Sequence, residues 1–275
     1  LVGLGFKVAA VPFHFWTPDV YQGAPSPVVA YMASGVKAAG FAGMLRVFVV
    51  AFDQYASDWQ PAVYGLAVAT LLVGAILAVV QTDVKRMLAY SSISHAGFLL
   101  VGVEAASAKG TSATLFYLAA YTFMVAGSFG VVTIVGGKGD DRHSLTDYRG
   151  LASKRPLLAL AFTVFLLAQA GVPFTMGFFA KFSIIDAAVE ARSFWLAIVA
   201  MVSSVISAFL YLRIVITMFA GEEAEVPVAR ATGRLPFGAV AALSIAVAAT
   251  IGFGILPGTV VNLANDAVPT LVAAP

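Results

Sequence analysis

The sequence has no cysteine, so this chain can form no disulfide, thiolate metal site or iron–sulfur cluster of its own. It is also poor in charge. Only 11% of its 275 residues are Asp, Glu, Lys or Arg, against roughly 25% in soluble domains. With 60% hydrophobic residues, a soluble fold of this length could not cover its surface with polar groups. The net charge of +2 is too small to draw a nucleic acid. No Gly-rich phosphate loop, dinucleotide fingerprint or haem motif appears, so no cofactor is expected on this chain. There is no signal-peptide pattern. The first residue is Leu1, already inside an apolar stretch, and the chain is expected to be the later part of a longer protein.

What is present is a series of long apolar stretches, at 1–15, 28–52, 60–81, 87–104, 113–136, 157–191, 194–219 and 236–263. A helix needs about 20 apolar residues to cross roughly 30 Å of hydrocarbon. Backbone in lipid must satisfy its own hydrogen bonds, which predicts an all-α integral membrane protein with eight transmembrane segments. The stretches are too long, and lack the alternation, for barrel strands. Loop charges suggest an orientation. One side holds Lys109 and Arg192. The other holds Lys85, Arg86, Lys138, Arg142, Arg149, Lys154, Arg155, Arg230 and Arg234, and is expected to be cytoplasmic. This count requires the long 157–191 stretch to cross once. It places the polar loop 136–156 in the cytoplasm.

Three lysines interrupt the apolar stretches. Lys37 is nine residues into its segment, about 13 Å at 1.5 Å per residue. A charge at that depth costs at least about 2.5 kcal/mol. Lys181 lies in an equally apolar setting. Lys7 sits in FKVAAVPFHFW, five residues before Pro12 and seven before His14. The bland alternative for a membrane lysine is snorkelling to the interface. The 157–191 stretch is too long for one straight crossing, and AGVPFTMG at 170–177 explains why. Pro173 removes a backbone donor; Gly171 and Gly177 loosen the chain around it. A broken helix is expected, with freed carbonyls facing a polar interior; a simple proline kink is the alternative. Val-Pro-Phe occurs at both Pro12 and Pro173, each time near a lysine. The two segments run in opposite directions in this topology, the pattern of inverted repeats with interrupted midplane helices.

Lysine, unlike arginine, can lose its proton when desolvated. Lys7, Lys37 and Lys181 therefore read as proton relay sites. His14 would pass protons between Lys7 and Lys37, and His95, in AYSSISHAGFLLVG, would bridge toward Lys181; a structural hydrogen bond is the alternative for each histidine. Asp19 is expected to cap or orient a helix end. Asp186, five residues beyond Lys181, would assist proton exit. Arg46 and Arg213 are expected to snorkel. Glu222, Glu223 and Glu225 are expected in a solvated loop.

FKVAAVPFHFWTPDVYQGAPSPVVAYMASGVKAAGF (6–41), DVKRMLAYSSISHAGFLLVG (83–102), TDYRGLASKRP (146–156) and AGVPFTMGFFAKF (170–182) occur in the order of the family blocks of the antiporter-like proton-pumping subunits of complex I. The chain resembles that family over almost its whole length. The resemblance implies a fourteen-helix fold with two inverted five-helix repeats, of which this chain would hold helices seven to fourteen. Residues 1–52 would end the first repeat, 60–219 would form the second, and 236–275 would be a C-terminal helix and tail. Lys7 and Lys181 would be the lysines of the two broken helices and Lys37 the connecting lysine. A glutamate paired with Lys7 would lie upstream of Leu1. The implied activity is proton transport coupled to quinone reduction in a bacterial inner membrane. NADH, FMN, iron–sulfur clusters and quinone would be bound elsewhere in the complex. The partners would be lipid and other membrane subunits, neighbouring antiporter-like subunits included. The alternatives are a subunit of a multisubunit sodium/proton antiporter, which shares the lysines, a non-conducting scaffold, and a solute transporter. The last would want substrate-binding polar side chains that are not found.

Overall fold

A computed structural model describes residues 1–220 and 236–272; residues 221–235, which include Glu222, Glu223, Glu225, Arg230 and Arg234, lie outside the described residues. Helices fill the apolar stretches, and no strand occurs among the described residues beyond one isolated bridge between Asp83 and Ser144. Among the described residues, five helical stretches are long and apolar enough to cross a membrane: Ser26–Ala51, Asp53–Val79, Ala108–Gly136, Phe194–Phe219 and Phe237–Ile255. The chain is an all-α membrane protein.

In chain order, α1 is Val2–Val8, α2 is Trp16–Gly23, α3 is Ser26–Ala51 and α4 is Ala56–Val79. Next come α5, Val84–Glu104, and α6, Ala108–Gly136. The sixth apolar stretch forms two helices, α7 (Pro156–Ala170) and α8 (Met176–Glu190). They are followed by α9 (Phe194–Phe219), α10 (Phe237–Ile255) and α11 (Gly258–Val272).

The helix starts follow ordinary capping chemistry. The Asp83 side chain accepts from the Arg86 amide at the start of α5, and Ser107 accepts from the Gly110 amide at the start of α6. Pro156 opens α7, where a missing amide hydrogen removes no intrahelical bond. α5 occupies the centre: nearly every residue from Val84 to Glu104 is buried, including its serines and His95. That central position explains how a helix with so many polar residues is tolerated among apolar ones.

The helical path is interrupted at both Val-Pro-Phe sites. The first lies between α1 and α2, contains Pro12, and carries a left-handed turn at Ala9 (φ 63°). The second, residues 171–175, contains Pro173. Gly171 takes φ +91°, and a side chain on Gly177 would collide with the Ala168 carbonyl, so the crossing of α7 and α8 requires glycine there. The first break exposes donors that α4 satisfies. The Val11 amide donates to Thr70 Oγ1 at 2.9 Å in a buried setting. Thr70→Val, similar in shape but without an acceptor, is expected to destabilise the protein by about 1–3 kcal/mol, because it orphans that amide. Thermal unfolding in detergent, with hydrogen exchange at Val11, measures the loss.

Two sequence expectations need correction. The eighth stretch, expected as one helix over 236–263, ends at Ile255, and Pro257 separates it from α11. Proline cannot donate into the preceding turn, so the chain restarts there. Lys85 is not a loop charge: it is 1% exposed and ion-paired. The loop 136–156 is tied to the chain that leads into α5. His143 O accepts from the Val84 amide, Thr82 O accepts from Leu145, and Tyr148 is fully buried.

Candidate functional site

Lys37 stands just beyond a π-helical turn, Met32–Val36, in α3. Such turns add a residue to the helix and are frequent at functional sites. The side chain is 3% exposed. Its ammonium donates to the Ser92 carbonyl and to Ser92 Oγ (2.6 Å), and lies 5.5 Å from the centre of the Tyr121 ring. Lys181, on α8 just past the second break, is 6% exposed. Its ammonium donates to the Ala170 carbonyl and to Ser204 Oγ, both at 2.9 Å. Ala170 ends α7, so its carbonyl has lost its helical donor to the break, and Lys181 supplies one. The ammonium also sits 5.0 Å from the centre of the Phe98 ring. Among the described residues neither lysine forms an ion pair. Each is held only by neutral oxygens and a ring face.

His95 lies between them. Its Nδ1 is 2.6 Å from the Tyr117 hydroxyl and its Nε2 is 3.0 Å from the Tyr211 hydroxyl. Tyr211 is 2.6 Å from Ser91 Oγ, Ser91 reaches Gln169 Oε1 at 3.4 Å, and Gln169 donates to Ser128 Oγ at 2.8 Å. Toward Lys37 the contact is aromatic: the His95 ring is 4.9 Å from Tyr121. Toward Lys181 it runs through Phe98, which stacks on Tyr117 at 5.9 Å. The two lysines and His95 thus form one buried assembly, though among the described residues no unbroken hydrogen-bond chain joins them.

The structure does not bring every expected residue to this assembly. Lys7 is exposed and forms no ion pair among the described residues. Its stem lies close to Gly40 on α3, one turn beyond Lys37. His14 is buried in the first break, yet its Nδ1 has no partner, and it is bonded to neither Lys7 nor Lys37. Asp186 pairs with Lys109 at 2.7 Å, and Glu190 joins them at 2.8 Å. Asp19 binds Arg86 at 2.6 Å instead of capping a helix. Arg46 is exposed. Arg213 closes the end of α4, donating to the carbonyls of Val79 and Gln81.

Sequence reasoning missed Ser92, Ser204, Tyr117, Tyr121, Tyr211 and Gln169. Single hydroxyls in apolar helices carry no spacing signature. The one available signal was Ser-Ser-Ile-Ser-His at 91–95, four polar residues in five on a buried helix.

With the geometry in place, likeness to known proteins is informative. The profile of the family described as "NADH:quinone oxidoreductase/Mrp antiporter, TM" matches residues 1–207. The chain belongs to this family. It is 48% identical over 272 residues to NADH-quinone oxidoreductase subunit N of Acidothermus cellulolyticus, covering 98% of this chain and 52% of that protein. A chain of respiratory complex I from Thermus thermophilus superposes with a TM-score of 0.82 at 39% identity, over 94% of this chain and 56% of that one. A chain of the Mrp complex from Dietzia superposes at 0.86 with 25% identity, over 98% and 58%. The chain spans about half the length of the curated relatives it matches.

Proposed function

We propose that this chain is part of a proton-translocating membrane subunit of NADH-quinone oxidoreductase, in which Lys37, His95 and Lys181 pass protons at the membrane midplane. The observation that carries this reading is the pair of buried lysines held by neutral oxygens alone. No fixed anion pins either charge, so each ammonium can give up its proton without stranding a buried carboxylate. His95 with its two tyrosine partners supplies a group between them that both donates and accepts. Lys7 and His14 belong to the same path, with Lys7 completed by a glutamate upstream of Leu1. The breaks at Pro12 and Pro173 put polar backbone at membrane depth.

The eight segments would be helices seven to fourteen of a fourteen-helix fold with two inverted repeats, divided at 1–52, 60–219 and 236–275. The setting is the inner membrane of a bacterium, beside other antiporter-like subunits. Electron transfer through NADH, FMN, iron–sulfur clusters and quinone would occur elsewhere in the complex and supply the energy. WTPDVYQGAPSPV and GVKAAGF resemble the subunit N type, which favours this reading over a sodium/proton antiporter.

Deleting the full-length subunit from its host and restoring it tests the proposal. NADH-driven acidification of membrane vesicles is expected to disappear and return. Intact acidification combined with lost sodium tolerance would assign the chain to an antiporter instead.

A further inference from the structure

Glu104, the last residue of α5, is a buried acid that the relay above does not use. It is 6% exposed. Oε1 accepts from Ser193 Oγ at 2.8 Å, while Oε2 has no hydrogen-bond partner among the described residues. No cation lies within ion-pair distance of it among the described residues. Glu104 lines an open cavity of about 540 Å³ with Ser57, Gln60, Pro61, Tyr64 and Ala191. A water molecule takes about 30 Å³ of liquid volume, so the cavity holds several. Gln60, also in the cavity lining, closes the end of α5 by donating to the Glu104 backbone carbonyl at 2.9 Å. Of the nearby charges, Lys109 is engaged by Asp186 and Glu190, and Arg192 is exposed. Tyr64 is the other titratable side chain lining the cavity.

α5 also carries His95 and Phe98, the ring beneath the Lys181 ammonium. Glu104 is six residues beyond Phe98, about 9 Å along the helix, at the end opposite Lys85. We propose that Glu104 is the proton-release group for this half of the protein. The Glu104 O–H bond breaks, its electron pair stays on the carboxylate, and a cavity water takes the proton and leaves as hydronium. A proton from the Lys181 side then restores the acid. An anion at this position leaves a bare buried oxygen, which is costly, so reprotonation is favoured and release is brief.

The inference rests on the proton-translocation reading, and its test separates the two. Glu104→Gln and Glu104→Asp are placed in the full-length subunit of the assembled complex, with Lys181→Ala as a reference. Glu104→Gln keeps the acceptor for Ser193 but not the exchangeable proton. It is expected to lower NADH-driven proton transport about tenfold or more and to flatten its dependence on pH in the compartment facing the cavity. Glu104→Asp, which keeps an exchangeable proton, restores most of the rate. Wild-type transport and pH profile in Glu104→Gln would overturn the assignment, and so would an equal loss in Glu104→Asp with the complex assembled, which would mark the site as structural. If Lys181→Ala also transports normally, the underlying reading has failed; if Lys181→Ala fails while Glu104→Gln does not, only the release site is wrong.

Discussion

Lys37→Ala and Lys181→Ala, each in the full-length subunit, are expected to cut NADH-driven proton transport by about two orders of magnitude, the usual contribution of a positioned proton-transfer group. Oxidation of NADH by artificial acceptors and assembly of the complex should persist. The informative companion is arginine. Lys37→Arg keeps a cation within reach of the Ser92 oxygens and the Tyr121 ring. Arginine hardly deprotonates, so a relay fails while a purely structural cation is preserved. Wild-type transport in Lys37→Arg would make Lys37 a structural residue. Lys181→Ala has one added consequence. Ala170 O then keeps only a longer bond from Ser204, at 3.3 Å, so a modest loosening of the second break should accompany the loss of transport. Vesicle acidification together with hydrogen exchange across 168–178 distinguishes the two effects.

Lys85→Ala is expected to give the largest loss of stability. The ammonium of Lys85 joins Asp140 at 2.9 Å and the Ala24 carbonyl at 2.6 Å. Asp140 also accepts from the Ser26 amide at 2.7 Å and from its hydroxyl. One ion pair therefore ties the junction of α2 and α3, the start of α5 and the loop after α6. Removing one partner of a buried pair costs about 3–5 kcal/mol. The lower end applies here, since Asp140 is 21% exposed. Lys85→Ala/Asp140→Ala should recover part of the loss, because no charge is left uncompensated. Burial pushes the Asp140 carboxyl up, but Lys85 and Ser26 pull it further down, so it rests below the ordinary carboxylate value. A lowered folded value means the stabilisation is complete above the unfolded value, about 3.9, and fades as pH falls through the folded one. Thermal unfolding of the wild type should thus be insensitive to this pair near neutrality and weaken in strong acid. Lys85→Ala should lose much of that acid dependence.

Much of the architecture was legible in the residues. Apolar length marks the helices because lipid leaves the backbone no other partner. The two Val-Pro-Phe sites mark the breaks because proline withdraws a donor wherever it stands. Lys37 and Lys181 stood out because a cation in a long apolar run has no cheap explanation. Lys85 was misread for the opposite reason. It follows Asp83 and precedes Arg86, so it looks like a solvated loop charge, and its partner Asp140 is 55 residues away across the fold. The hydroxyls around the lysines were equally hidden, since a serine or tyrosine in a membrane helix acquires meaning only from what packs against it. His14 shows the limit from the other side: its place between Lys7 and Lys37 along the chain carried no sign that its Nδ1 would be buried with no hydrogen-bond partner among the described residues.

Thr70 and Leu71 are consecutive on α4, yet they hold different parts of the molecule. Thr70 receives the Val11 amide of the first break, while the Leu71 carbonyl receives Ser203 of α9 at 3.0 Å. Ser204, the next residue, carries the Lys181 ammonium. α4 therefore works as a strut whose two fastenings sit side by side. The two interrupted segments are thus moored to adjacent residues of one helix, the first directly and the second by way of α9.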